Sequence, residues 1–288
     1  KLVKIRILRV DKLLTLFACA YSCLFNSHLN ATTTYIPNGN EYNLSGQLVG
    51  DQIGTSISIG SNGGFAVWQD NSSDPFGYGI STQRLDPSGN PIGATIRVNS
   101  LLEGDQEKPS VGVMSNGGAF FVWEGGASGF HRVYYRVINS QGLFIEKEQL
   151  ITSANSGEQT EPSLVVLKDG SAVVSWTDYL ADGSYKGVSA RIISENGQLL
   201  GKPFRLNQFN KGNQHKSKVV ALPEGGFAAI WVSDQQQSQK SLDIVGRLFS
   251  AKGEALSDEK ILSPEGINAN PDVAVAGDSL AITWEKLN

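Results

Sequence analysis

The 288-residue chain has only two cysteines, one methionine and three histidines. Two cysteines cannot knit a disulfide scaffold, and these counts give no zinc-module spacing. Charge is sparse as well. Charged residues make up 18% and the net charge is -4, against roughly 25% charged residues in an average soluble domain. An acidic balance lacks the basic footprint of a nucleic-acid binder. No apolar run reaches the ~18 residues of a membrane-spanning helix. Common catalytic signatures are missing too: there is no H-E-x-x-H, no G-x-S-x-G elbow and no P-loop. His28, His131 and His215 fall in unrelated contexts. What the chain does have is 32 glycines and 40% apolar residues, enough for a large core broken by many turns.

The first residues are set apart. Lys1, Lys4, Arg6, Arg9 and Lys12 precede an apolar stretch from Leu13 to about Phe25. Basic, then apolar, then small is the order of a secretory signal, so residues 1–26 are expected to be a leader and 27–288 a single domain. Ala18-Cys19-Ala20 supplies a cleavage pattern. Leu16-Phe17-Ala18-Cys19 also resembles a lipobox, which would make Cys19 a lipid-anchor site, although Phe17 is bulky for it. A buried N-terminal strand or helix is the alternative. The expected location is secreted, periplasmic or cell-surface.

Five tryptophans mark a repeat. Trp68, Trp123, Trp176, Trp231 and Trp284 are spaced by 55, 53, 55 and 53 residues. A glycine stands 18 or 19 residues before each: Gly50, Gly104, Gly157, Gly212 and Gly266. Each unit reads as four short strands. An alternating first strand follows the glycine, and a tight turn such as Asn116-Gly117 or Asp169-Gly170 leads to a second strand ending on the tryptophan. A third strand carries Arg84, Arg136, Arg191 or Arg247, and a fourth ends near Val98, Ile151, Leu206 or Leu262. Such units predict an all-β fold, a five-bladed β-propeller of four-stranded blades. Its ring would be closed by strands at 31–36 and 41–45 pairing with the last unit. A linear solenoid and a piece of a larger propeller are the competing architectures.

Gly104-Asp105-Gln106, Pro109-Ser110-Val111, Asn116-Gly117-Gly118 and Trp123 form a motif. It resembles repeats in large bacterial secreted and surface proteins of the adhesin-like, RTX type. The resemblance spans about residues 39–288 and implies a surface binding role. The G-G-x-G-x-D calcium repeats of that family are missing from this chain, so calcium does not come with it.

Candidate residues follow from the repeat. The tryptophans are expected as inter-blade core. The arginines are expected to pair across strands with Asp70, Glu124, Asp178 and Asp234. The connections between successive units carry Asp51-Gln52, Asp105-Gln106, Glu158-Gln159 and Gln214. These could ring a ligand or cation on one face, or simply satisfy loop amides. The connections between second and third strands carry Phe76, Tyr78, Phe130, Tyr179 and Tyr185 on the same face, where variable loops usually bind. Asp70/Asp74 and Asp178/Asp182 have a spacing that could serve calcium, yet it fails in the other units. The expected function is an exported, non-enzymatic binding or adhesion module for a carbohydrate or protein ligand, with no catalytic residue and no cofactor. The alternatives are a carbohydrate-active enzyme using paired carboxylates on the loop face and a passive spacer.

Overall fold

The computed structural model describes residues 2–9, 44, 48–101, 103–127, 129–153, 157–179, 183 and 185–287. Every regular element among them is a β-strand, and no helix is long and apolar enough to cross a membrane. The repeat units become sheets. The first is β2 (Gln52–Gly60), β3 (Gly63–Asp70), β4 (Gly79–Leu85) and β5 (Pro91–Arg97). The second is β6 (Asp105–Val113), β7 (Ala119–Gly126), β8 (Arg132–Ile138) and β9 (Gln149–Leu150). The third is β10 (Gln159–Val166), β11 (Ala172–Tyr179), β12 (Lys186–Ile193) and β13 (Leu199–Arg205). In the fourth, β14 (Gln214–Ala221), β15 (Phe227–Asp234) and β16 (Leu242–Phe249) precede β17 (Lys260–Ile261). The last tryptophan belongs to β18 (Ile267–Ala276) and β19 (Ser279–Leu287), linked to the fourth sheet by one parallel pairing, Leu242 with Ile267.

The edge of β19 departs from expectation. It is taken by β1 (Leu2–Arg9), antiparallel from Leu2 opposite Lys286 to Arg9 opposite Ser279. This is the basic stretch read as the start of a leader, and its alternating Val3, Ile5 and Ile7 suit a strand. The segment 31–36 expected at this edge, the segment 41–43 and Cys19 lie outside the described residues.

The sheets stack face to face through apolar side chains, and the tryptophans fill the interfaces. Trp123 packs in a cluster with Phe65, Val67 and Val98 of the first unit, and Trp176 with Val122, Val133 and Ile151 of the second. Trp231 meets Val173, Val188 and Leu206, and Trp284 meets Ile230, Ile244 and Leu262. All five are at most 4% exposed. Trp68 meets Leu44 and Leu48 instead. Among the described residues the stack stays open here, with Ile57 and Ile59 on β2 exposed.

The arginines do not form the expected ion pairs. Register places Arg136 opposite Phe121 and Arg191 opposite Val174, whereas Glu124 and Asp178 face Val133 and Gly187. At ~3.3 Å per residue the charges are too far apart along the strand. The guanidiniums reach across to the preceding unit instead. Arg136 donates to the Val98 carbonyl, Arg191 to Ile151 at 2.7 Å and Arg247 to Leu206 at 3.2 Å. Each acceptor residue packs in the same cluster as the tryptophan of the arginine's own sheet, so apolar contact and hydrogen bond fix one interface together.

Candidate active site at the second and third sheets

Each first strand carries a bulge at the same repeat position, where pairing shifts register. The residue there has positive φ: Gly54, Lys108, Glu161, Lys216 and Asn270. For the non-glycines this left-handed conformation costs ~1–2 kcal/mol, and three of the bulges are held by acceptors from the preceding sheet. The Lys108 N–H donates to Gln69 Oε1 at 2.9 Å and the Glu161 N–H to Glu124 Oε2 at 2.6 Å. The Lys216 N–H donates to Glu161 Oε2 at 3.1 Å and Thr177 Oγ1 at 3.2 Å. Gln69, Glu124 and Thr177 each directly follow a tryptophan, so the repeat itself delivers them to the bulges.

The units differ in what they place there. Among the described strands, only the second sheet sets two carboxylates directly opposite each other: Glu107 on β6 faces Glu124 on β7. The same register pairs Ile53 with Gln69, Thr160 with Thr177, His215 with Val232 and Ala269 with Glu285. Like charges directly opposite destabilise a sheet. Glu124 is 1% exposed and its other oxygen receives the Lys108 ammonium at 2.9 Å. Burial opposes the charge of Lys108, but the carboxylates around it, Glu124 foremost with Glu161 and Glu107, together raise the pKa of the amine above its usual value. Donor atoms of Glu107, Glu124 and His131 lie within 4.8 Å of one another. That set has the chemistry to bind a cation, although Lys108 already supplies positive charge to Glu124.

His131 continues the cluster into the third sheet, its Nδ1 lying 3.3 Å from Glu158 Oε1. Asp178, next to last in β11 and opposite Gln159, accepts from Trp176 Nε1 at 3.0 Å. Burial raises its pKa above the usual carboxylate value, outweighing the Trp176 and Ser189 hydrogen bonds and the charge of Arg132. At the next junction, burial lowers the pKa of His215, against the raising influence of Glu161 and Asp234.

The residues expected to bind ligand divide. Gln106, Gln159 and Gln214 are buried ties. Gln106 donates to the Glu103 and Gly104 carbonyls and accepts from Trp123 Nε1 at 3.0 Å. Gln159 donates to Thr152 Oγ1, and Gln214 to the Lys211 carbonyl. Gln52 makes the equivalent tie to Val49 and Gly50. Asp51 is exposed and its N–H donates to Asn71, while exposed Asp105 accepts the Tyr78 N–H. Phe76, Phe130 and Tyr185 are exposed; Tyr78 and Tyr179 are half-buried. Glu158 is drawn into the acidic cluster. Glu107, Lys108 and Glu161 were not singled out from sequence. The available signal was the residue after each tryptophan and the residue before Pro109 and Pro162, charged in only some units.

No family model and no curated protein matches the chain. Solved structures do. An α-L-arabinanase of Penicillium chrysogenum complexed with arabinobiose aligns with a TM-score of 0.54 at 13% identity, over 83% of this chain and 76% of that one. A family GH93 α-L-arabinofuranosidase of Fusarium graminearum with arabinobiose aligns with a TM-score of 0.51 at 11% identity, over 81% and 74%. The chain shares their propeller-like fold. This corrects two expectations. The repeat does not mark an RTX-type adhesin, because the matching architecture is that of glycoside hydrolases. The non-enzymatic binding or adhesion role falls with it. That role rested on the evenness of the units, and the Glu107–Glu124 pair breaks that evenness in the second sheet.

Proposed function

We propose that the chain is a carbohydrate-active enzyme that cleaves glycosidic bonds at the junction of its second and third sheets. The observation that carries this reading is the Glu107–Glu124 pair, unique to one sheet and flanked by His131. Glycoside cleavage requires carboxyl groups in two states, one delivering a proton to the leaving oxygen and one facing the sugar as a carboxylate. Asp178, whose raised pKa favours the protonated form, is the proton donor in this reading. In this reading half-buried Glu107 faces the sugar, and Glu124 fixes its surroundings through Lys108 and the Glu161 amide. The arabinobiose complexes of the two fold relatives support a carbohydrate ligand and make arabinan the first substrate to try.

The scaffold in this proposal is a closed five-bladed ring. Leu44 supports it, because it contacts Trp68 where Val98, Ile151, Leu206 and Leu262 share clusters with the following tryptophans.

The test is hydrolysis of arabinan and of short aryl glycosides. Glu107→Gln and Asp178→Asn should each lower kcat by ~10²–10⁴-fold, the usual share of a positioned acid or base. A folded wild-type protein inert on all of them, or variants as active as wild type, would remove the enzymatic reading.

A further inference from the structure

The connections between second and third strands hold three outward-facing aromatic rings on consecutive sheets: Phe76 at 71%, Phe130 at 70% and Tyr185 at 69% exposure. A lone exposed ring is ordinary. Here two of the rings stand on backbone pinned from beneath. The Phe76 N–H donates to Asp74 Oδ1 at 3.0 Å, and the buried Asp74 pairs through its other oxygen with Arg97 of β5. Asp70 anchors the same connection by accepting the Ser72 and Ser73 N–H groups at 3.0 and 2.6 Å. The Phe130 N–H donates to the Ala127 carbonyl at 2.9 Å, and its own carbonyl accepts from Arg132. A buried carboxylate, with a part-exposed guanidinium as its partner, is a costly support for a phenyl ring held in water unless the ring has a partner. The fourth connection is different: Gln237 folds onto buried Asp243, and the segment offers no aromatic ring.

We infer that Phe76, Phe130 and Tyr185 form a stacking rim that lays a polysaccharide chain across the first three sheets, on the face of the acidic cluster. Sugar rings present apolar C–H faces, and flat aromatic rings fixed in place match them at low entropic cost. The one-sided rim makes this a site for polymers rather than single sugars. The inference rests on the glycan reading of the site but not on cleavage.

Affinity electrophoresis of the full chain in gels containing arabinan, xylan or mannan tests it, alongside rates on a short aryl arabinoside. At least one polymer should retard the wild type. Phe76→Ala, Phe130→Ala and Tyr185→Ala should each weaken retardation roughly two- to tenfold in Kd, the worth of one aromatic contact. The triple variant should run free, with its denaturant melt and aryl-glycoside rate unchanged. An undiminished shift in the triple variant overturns the rim, as does a wild type unretarded by every polymer. Retardation without hydrolysis supports the rim and sinks the enzyme, while hydrolysis of the aryl glycoside without retardation does the reverse.

Discussion

Asp178, the proposed proton donor, carries a cost in stability. Its folded pKa is raised by burial above the usual 3.8. Whatever stability it contributes is complete below that unfolded value and is lost as pH rises through the folded pKa. Above that value, wherever the side chain ionises, its burial is therefore a burden on the folded state. Asp178→Asn should melt at higher denaturant than wild type at pH 7, and the gap should close below about pH 4. Paired urea titrations across that range check the sign. A gap that stays constant with pH would show that burial of the charge is not the cause. The expected loss of activity and gain of stability in one variant is a pattern a purely structural aspartate would not produce.

The strand and its neighbour across the sheet junction are the scale at which the fold is held. Trp176 is fully buried against the second sheet, and Arg191 donates to the Ile151 carbonyl of that same unit. Trp176→Ala should cost ~3–5 kcal/mol. Arg191→Ala should cost about 1 kcal/mol for its net hydrogen bonding. Because both act on one interface, the double variant should depart from the sum of the singles; denaturant melts of all three measure this. The tryptophan role was legible in the sequence, since a period of 53 to 55 residues leaves few alternatives for a bulky apolar side chain. The arginine partners were not, because strand register decides which residue faces which, and the spacing alone suggested carboxylates. The acidic cluster was hidden for the same reason. Glu107, Glu124, His131 and Glu158 lie far apart in the chain, and only strand pairing within the second sheet and a contact to the next unit bring them together.

For the whole molecule, the question is whether the stack is a line or a ring. In a linear array, stability is a sum of neighbour terms and the terminal units fray first. In a ring every sheet has two neighbours. Trp68 is 3% exposed although no described sheet precedes it, because Leu44 and Leu48 pack against it. Ile57 and Ile59 stand in β2 at the repeat positions where Val111 and Val113 pack on the first sheet, yet they are 55% and 43% exposed. Closure would bury that surface, at roughly 25 cal/mol per Å². Leu44→Ala therefore separates the two architectures. In a ring it should cost about 1–3 kcal/mol of global stability, since a half-buried leucine is removed from an interface that every blade depends on. Hydrogen-exchange protection of β2 and β18 should then fall together with that of β10 in the middle of the chain. In a line, only the first sheet should lose protection, and the exchange of β10 should be untouched.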